Sequence, residues 1–187
     1  MSDAALAIVR HSALNGLHLP AIAGRLAVSD AGPRARWIYR GRTADVATAF
    51  GATPSTEPCR AAVDRERAAL WLGPDEWLLL APDHDRIPLA AQMRAAVAGK
   101  AASLVDVSHR NCGLVIAGPE AARLLNAACP LDLDPSAFPV GMCTRTLFAK
   151  AEIVLWRTGA TAFHVEVWRS FAPYVVGHLT QASSDVG

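Results

Sequence analysis

The chain has 187 residues, 52 % of them hydrophobic, and a formal net charge of +1. That length suits one domain with a sizeable apolar centre. The near-neutral charge removes any bulk electrostatic case for nucleic acid or an anionic membrane surface, and no apolar run approaches the ~20 residues of a bilayer-spanning helix.

Residues 1–33, rich in Ala, Leu and Gly, read as an arm without a fold of its own. Its apolar run, residues 4–9, precedes the basic Arg10, the reverse of a secretory signal, so a cytoplasmic chain is expected. The first predicted strand spans residues 36–41. Thr43 caps a short helix that runs to Phe50, and Gly51 stops it. A Pro-containing connection follows at 54–58. Three apolar-rich runs lie at 60–64, 67–72 and 76–81. A helix over 88–98 places Leu89, Met93, Ala96 and Val97 on one face.

A second series begins with a strand over 113–117. It ends at Gly118-Pro119, where a helix opens and continues to Cys129. Ala121, Leu124, Leu125 and Ala128 recur there at i, i+3, i+4 and i+7, and Pro119 fits a first helical turn because its missing N–H would have no partner. A polar, Pro-rich connection spans 130–141, and apolar-rich runs follow at 143–149, 152–157 and 162–168. The final helix follows Ser170 as N-cap, with Pro173 in its first turn.

Each series reads βαβββα. The predicted fold is therefore α+β, a duplicated βαβββα unit with pseudo-two-fold symmetry. The arm is 1–33 and the single duplicated domain 34–187, with halves at about 34–100 and 104–187. The last hairpins match in placement, with Leu70-Trp-Leu-Gly-Pro-Asp-Glu-Trp77 set against Val154-Leu-Trp-Arg-Thr-Gly-Ala-Thr161.

Catalytic signatures are few. The cysteines Cys59, Cys112, Cys129 and Cys143 form no Cys-x-x-Cys pair, so small buried thiols are expected rather than a zinc site or disulfides. There is no Gly-x-Gly-x-x-Gly or Gly-Lys-Ser/Thr phosphate loop. Ser108 and His109, adjacent on the chain, point to opposite faces and do not form a nucleophile–base pair. Trp71, Trp77, Trp156 and Trp168 are expected in the core. Charged residues nevertheless interrupt the apolar runs of the second series. Asp106, His109, Arg110, Arg145, Lys150 and Arg169 are the candidate contact cluster, because Arg suits bidentate contact with carboxylates of a ligand or partner. The competing reading is a half-solvated sheet, with Arg145, Leu147, Ala149, Glu166 and Trp168 in alternation and Asp106 paired internally to an Arg.

Several strings carry a family resemblance. Trp71-Leu-Gly-Pro-Asp-Glu-Trp-Leu-Leu-Leu80, Asp106-Val-Ser-His-Arg110, Gly118-Pro-Glu-Ala-Ala-Arg-Leu-Leu125 and Cys129-Pro-Leu-Asp-Leu-Asp-Pro135 resemble the gamma subunits of heterotetrameric sarcosine oxidases. So do Phe138-Pro-x-Gly141, Cys143-Thr-Arg-Thr146, Lys150-Ala-Glu-Ile-Val-Leu-Trp-Arg157 and Glu166-Val-Trp-Arg-Ser-Phe-Ala-Pro-Tyr174, and Arg10-His-Ser-Ala-Leu14 fits the arm that opens such subunits. The resemblance implies a subunit acting mainly in assembly, with alpha, beta and delta subunits as partners. The implied complex demethylates sarcosine oxidatively to glycine, produces hydrogen peroxide and passes the one-carbon unit to tetrahydrofolate. FAD, FMN, NAD, zinc and tetrahydrofolate are then implied on the other subunits, with none bound by this chain. The equivalent subunit of an N-methylglutamate-type dehydrogenase is the alternative within the same architecture.

A more distant likeness is to the folate-binding aminomethyltransferase T-protein, through Asp-x-Ser followed by Gly-Pro-x-Ala and Leu-Leu. It implies a duplicated α+β core and, as another alternative, a stand-alone folate-binding protein or transferase. Glu152 is the only acid near the strand where such transferases place one. The chain stops at Gly187, before the domains that complete their folate channel, so a complete transferase is not expected.

Overall fold

The computed structural model describes residues 11–185; the apolar run at 4–9 lies outside them. In chain order the elements are β1 (Ala21–Ile22), β2 (Leu26–Asp30), β3 (Arg34–Arg40), α1 (Thr43–Phe50), β4 (Ala61–Asp64), β5 (Arg67–Gly73), β6 (Glu76–Pro82) and α2 (Arg86–Val97). Then come β7 (Ser103–Asp106), β8 (Asn111–Ala117), α3 (Ala121–Asn126), β9 (Cys143–Phe148), β10 (Ala151–Gly159), β11 (Ala162–Trp168) and α4 (Ala172–Ser183). A 3₁₀ turn precedes each closing helix, at Asp83–Asp85 and Arg169–Phe171.

Two antiparallel sheets form, ordered β1-β2-β8-β11-β10-β9 and β4-β5-β6-β3-β7. Period-two alternation gives each sheet two apolar faces. Trp37, Tyr39, Trp77 and Leu79 face α1 and α2, where Val46, Phe50, Leu89 and Met93 meet them. Leu114, Ile116, Leu155 and Val165 face α3 and α4, against Leu124, Leu125, Val175 and Leu179. The opposite faces meet each other, Leu70, Leu78 and Leu80 of one sheet against Cys143 and Val154 of the other. The layers are helices, sheet, sheet, helices.

The duplication is visible residue by residue. Trp71 pairs with Trp77 and Gly73 with Glu76, while Arg157 pairs with Phe163 and Gly159 with Ala162, with the same irregularity in each hairpin. Gly73 therefore corresponds to Gly159, two positions away from the alignment expected from the strings. Across the sheets Arg36 corresponds to Gly113 and Leu80 to Glu166, because each pairs at the same rung. Arg60 and Met142, equivalent to each other, form a bridge that joins the sheets.

The repeat also begins one strand earlier than expected. β7 precedes the second unit but pairs with β3 of the first, Asp106 opposite Trp37. β2 precedes the first unit but pairs with β8 of the second, Asp30 opposite Leu114. Each unit is thus ββαβββα, with its first strand lent to the other. Residues 21–30, expected in an arm outside the core, are part of the second sheet. Leu14, Leu26 and Val28 are buried in its core. The reason lies at Gly118. Its φ is +121°, and a Cβ there would meet the Arg25 carbonyl oxygen at 2.2 Å, so only glycine lets the β1–β2 turn sit against it. The Glu120 N–H donates to the same Arg25 carbonyl at 3.2 Å.

Helix boundaries moved where capping was misassigned. Gly51 does stop α1, at φ +92° with its N–H bonded to the Ala47 carbonyl. Thr43 is the first helical residue rather than the cap, and α3 ends at Asn126 rather than Cys129. Ser170 lies in the 3₁₀ turn, and Phe171 takes the N-cap position of α4. Among the described residues no helix is long and apolar enough to cross a membrane.

Candidate functional site

The polar chemistry of the molecule concentrates between the sheets and at the end of the sandwich where β2, β7 and β11 finish and β8 starts. At the centre Arg36, on β3, meets Glu166, on β11. Arg36 Nε donates to Glu166 Oε2 at 2.6 Å and Nη2 to Oε1 at 3.0 Å, a two-pronged pair between side chains that are 2 % and 0 % exposed. His164 Nε2 lies 2.8 Å from Glu166 Oε1 and donates to it, since an ionised carboxylate only accepts. Burial alone would raise the Glu166 carboxyl; Arg36 and His164 outweigh it and hold the pKa below the ordinary value. Gly113 makes the room. A Cβ there would come within 3.0 Å of His164 and 3.1 Å of Arg36 Nη2. The positions related by symmetry to Arg36 and Glu166 are Gly113 and Leu80, which carry no charge, so this network breaks the pseudo-symmetry.

The sequence assigned Glu166 to a solvated face by alternation with Trp168. The alternation is real, but the face it shares is the inter-sheet face, and only Trp168, at 42 %, projects beyond it. Trp168 is correspondingly not a core residue. Trp37 and Trp77 are, while Trp71 and Trp156 are half-buried. Arg36, a guanidinium between Ala35 and Trp37 inside β3, is the available signal for the network. Arg157 is likewise buried. It donates to the Ala160 carbonyl at 2.8 Å and to the Leu133 carbonyl, and lies over the Phe163 ring at 4.6 Å. It braces the 130–141 connection.

The six candidate contact residues separate into three groups. Asp106 is a brace. One carboxylate oxygen accepts the Ser108 N–H at 2.9 Å, the other Arg86 Nε at 2.9 Å. Burial would raise its pKa, but these bonds hold it low. Its symmetry mate Asp30 accepts the Gly32 N–H at 2.8 Å in the same way. His109 joins this group through Arg86 Nη1, 3.1 Å from its Nε2.

Arg145 bonds Glu76 Oε1 at 2.7 Å, and Arg40 shares that carboxylate at 2.8 Å. Burial raises and these two guanidinium groups lower the Glu76 carboxyl, with a net depression. The third group lies on the rim. Arg110 sits 5.8 Å from the Trp168 ring centre and bonds Asn111 Oδ1. The Arg169 N–H donates to the Arg110 carbonyl. Lys150 donates its backbone N–H to the Tyr174 hydroxyl at 3.4 Å, and Tyr174 packs edge-on against Phe171.

A concavity opens at this end. It encloses about 310 Å³ and is lined by residues of both inter-strand connections, Gly32 and Pro33 from one, Ser108 and His109 from the other. The cysteines are free, and three of the four are buried. Burial pushes the Cys112 thiol up to about 11 and that of Cys143 to about 12, so both are neutral and unreactive near pH 7. Among the described residues no three His, Cys, Asp or Glu side chains group as metal ligands would.

Two face-to-face sheets built from a duplicated unit with exchanged first strands define an aminomethyltransferase-like fold. A glycine-cleavage aminomethyltransferase T from Bartonella henselae superposes with a TM-score of 0.65 over 86 % of this chain and 46 % of that one, at 14 % identity, a likeness of fold alone. The chain belongs to the sarcosine oxidase gamma subunit family, whose model matches residues 42–185. Sarcosine oxidase gamma subunits of Corynebacterium sp. strain P-1 and of an Arthrobacter species are 37 % and 36 % identical over 118 residues, 63 % of this chain. That alignment spans 57 % of the length of each relative. A chain of the heterotetrameric sarcosine oxidase of Corynebacterium sp. U-96 superposes with a TM-score of 0.86 at 29 % identity, covering 94 % of this chain and 95 % of that one.

Proposed function

We propose that this chain is the gamma subunit of a heterotetrameric sarcosine oxidase, serving assembly rather than chemistry. The observation that carries this reading is the near end-to-end superposition on a chain of such an enzyme. The alpha, beta and delta subunits are then its partners. They carry FAD, FMN, NAD, zinc and the tetrahydrofolate site while the complex converts sarcosine to glycine, hydrogen peroxide and a folate-bound one-carbon unit. The buried charges of this chain support it. Arg36, Glu166, His164 and Arg157 are spent on one another and on backbone carbonyls, which suits cohesion of a scaffold.

The partner-facing surface in this reading is the rim of Arg110, Lys150 and Arg169 together with Trp168 and Phe171, 42 % and 37 % exposed. Arg and aromatic side chains side by side are the composition of interface anchors. Asp106 and Arg145 contribute there through the groups they hold, Arg86 with His109, and Glu76. Affinity capture of the full chain from its host with mass spectrometry tests the proposal. Three co-purifying subunits bearing flavin support it, and sarcosine oxidation by the chain alone refutes it.

A further inference from the structure

We propose that the concavity between the two inter-strand connections binds a small organic carboxylate. Its walls come from both halves of the molecule, with Arg36, Asn111 and Cys112 lining it beside the connections, Arg169 joining them, and residues 11–13 completing it. No Asp or Glu is among the described lining residues. The Arg36 charge is neutralised by Glu166. The Arg169 guanidinium has no partner among the described residues, so the cavity carries one unspent positive charge.

Two further donors are available. Asn111 is 6 % exposed. Its Oδ1 accepts from Arg110 Nε at 3.1 Å, and its Nδ2 donates to nothing among the described residues. That N–H is open to the cavity and free to donate to an occupant oxygen. His109 Nε2 faces Arg86 Nη1 at 3.1 Å. A guanidinium only donates, so Nε2 accepts and Nδ1 carries the ring proton. The result is a guanidinium fork, a carboxamide N–H and an imidazole N–H around one unit of positive charge. That set matches a planar monoanion with two oxygens; a phosphate dianion would call for more cations.

The volume of about 310 Å³ lies at the small end of the range for ligand cavities, which selects an acid of a few carbons. Enclosure by walls from both halves favours a free acid over a side chain presented by a flat partner surface. Arg169 also lies on the rim assigned to partners, but the site does not depend on the assembly reading.

Calorimetric titration of the full chain with sodium acetate, at constant ionic strength and pH 7, tests the proposal. Expected are saturable one-to-one binding and no response to acetamide, which has the same shape without the charge. Arg169→Ala should weaken binding at least about tenfold, the loss of one charge-assisted hydrogen bond, with an unchanged melting temperature. Asn111→Ala should weaken it as well. No saturable uptake by about 50 mM acetate, equal binding of acetamide, or undiminished binding by Arg169→Ala overturns it. Equilibrium dialysis of radiolabelled acetate against the complex that co-purifies with the chain is the second measurement. Arg169-dependent uptake there supports a free ligand. Its loss on assembly assigns the cavity to a partner's carboxylate and overturns the proposal.

Discussion

Glu166→Gln should destabilise the fold more than any other single change of charge. The substitution keeps the size of the side chain and its contact with His164 but removes the negative charge facing Arg36. The guanidinium, 2 % exposed, is left uncompensated between two sheets. Breaking a buried, hydrogen-bonded ion pair from one side costs about 3–5 kcal/mol. At about 2–4 °C per kcal/mol for a chain of this length, the melting temperature should fall by roughly 6–20 °C. Arg36→Met should cost a similar amount, because Glu166 must then be buried charged or take up a proton. The double variant Arg36→Met with Glu166→Gln should recover much of the loss. Its buried amide keeps His164 as a partner, and the positions equivalent to Arg36 and Glu166 are occupied by Gly113 and Leu80, with no charge at all. Urea unfolding followed by fluorescence of the buried Trp37 and Trp77 gives the cycle. A Glu166→Gln cost under about 1 kcal/mol, the level of an exposed pair, or strict additivity in the double variant, would refute the reasoning.

Three further outcomes are expected. Gly118→Ala should destabilise by at least the ~1–3 kcal/mol of a strained backbone conformation, since its φ is +121° and its Cβ would overlap the Arg25 carbonyl; a thermal melt reads it. Stability should fall with acid. Glu76, Asp106 and Glu166 have depressed folded-state pKa values, so their contribution is full above the unfolded carboxylate value of about 4. It is lost as pH drops through the folded values, and a melt profile from pH 7 to pH 3 with a smaller decline in Glu76→Gln checks it. Deleting residues 1–30 should abolish cooperative unfolding instead of yielding a trimmed domain. Burial of Leu14, Leu26 and Val28 is worth about 1.5–3 kcal/mol each, against a total stability of about 5–15 kcal/mol; circular dichroism of the truncated chain decides.

Much of this was written locally in the sequence, and what was missed was non-local. Strands β4, β5, β6 and β11 coincide with their apolar runs to within a residue, because each is bounded by turn residues that fix its ends. The six-residue α3 was overextended, since Ala128 continues the apolar spacing of a helix whose hydrogen bonding stops at Asn126. β2 and β7 were invisible as strands. Each is short, and each is stabilised by a partner strand that lies far away along the chain, Asp30 opposite Leu114 and Asp106 opposite Trp37, so no local period reports it. The same holds for the polar residues. Asp106 with an Arg was foreseeable from charge alone; Arg36 with Glu166, 130 residues apart, was not. Alternation tells which residues share a face but not whether that face meets water or a second sheet.

The exchange of first strands gives the Asp-x-Ser and Gly-Pro strings a structural task. Asp106 and Asp30 each close a turn at the point where a lent strand hands over to the next. The Val107 N–H then bonds the Arg36 carbonyl as the Ala31 N–H bonds that of Gly113. Gly118 fixes where the other end of the lent β2 lies. These residues hold the two halves in register, and a one-residue slip of β2 or β7 would turn every side chain of that strand to the wrong face. Their constraint is therefore topological. The two Asp-centred turns lie at the end of the sandwich where the cavity opens, so the strand exchange fixes the backbone on which that surface is built.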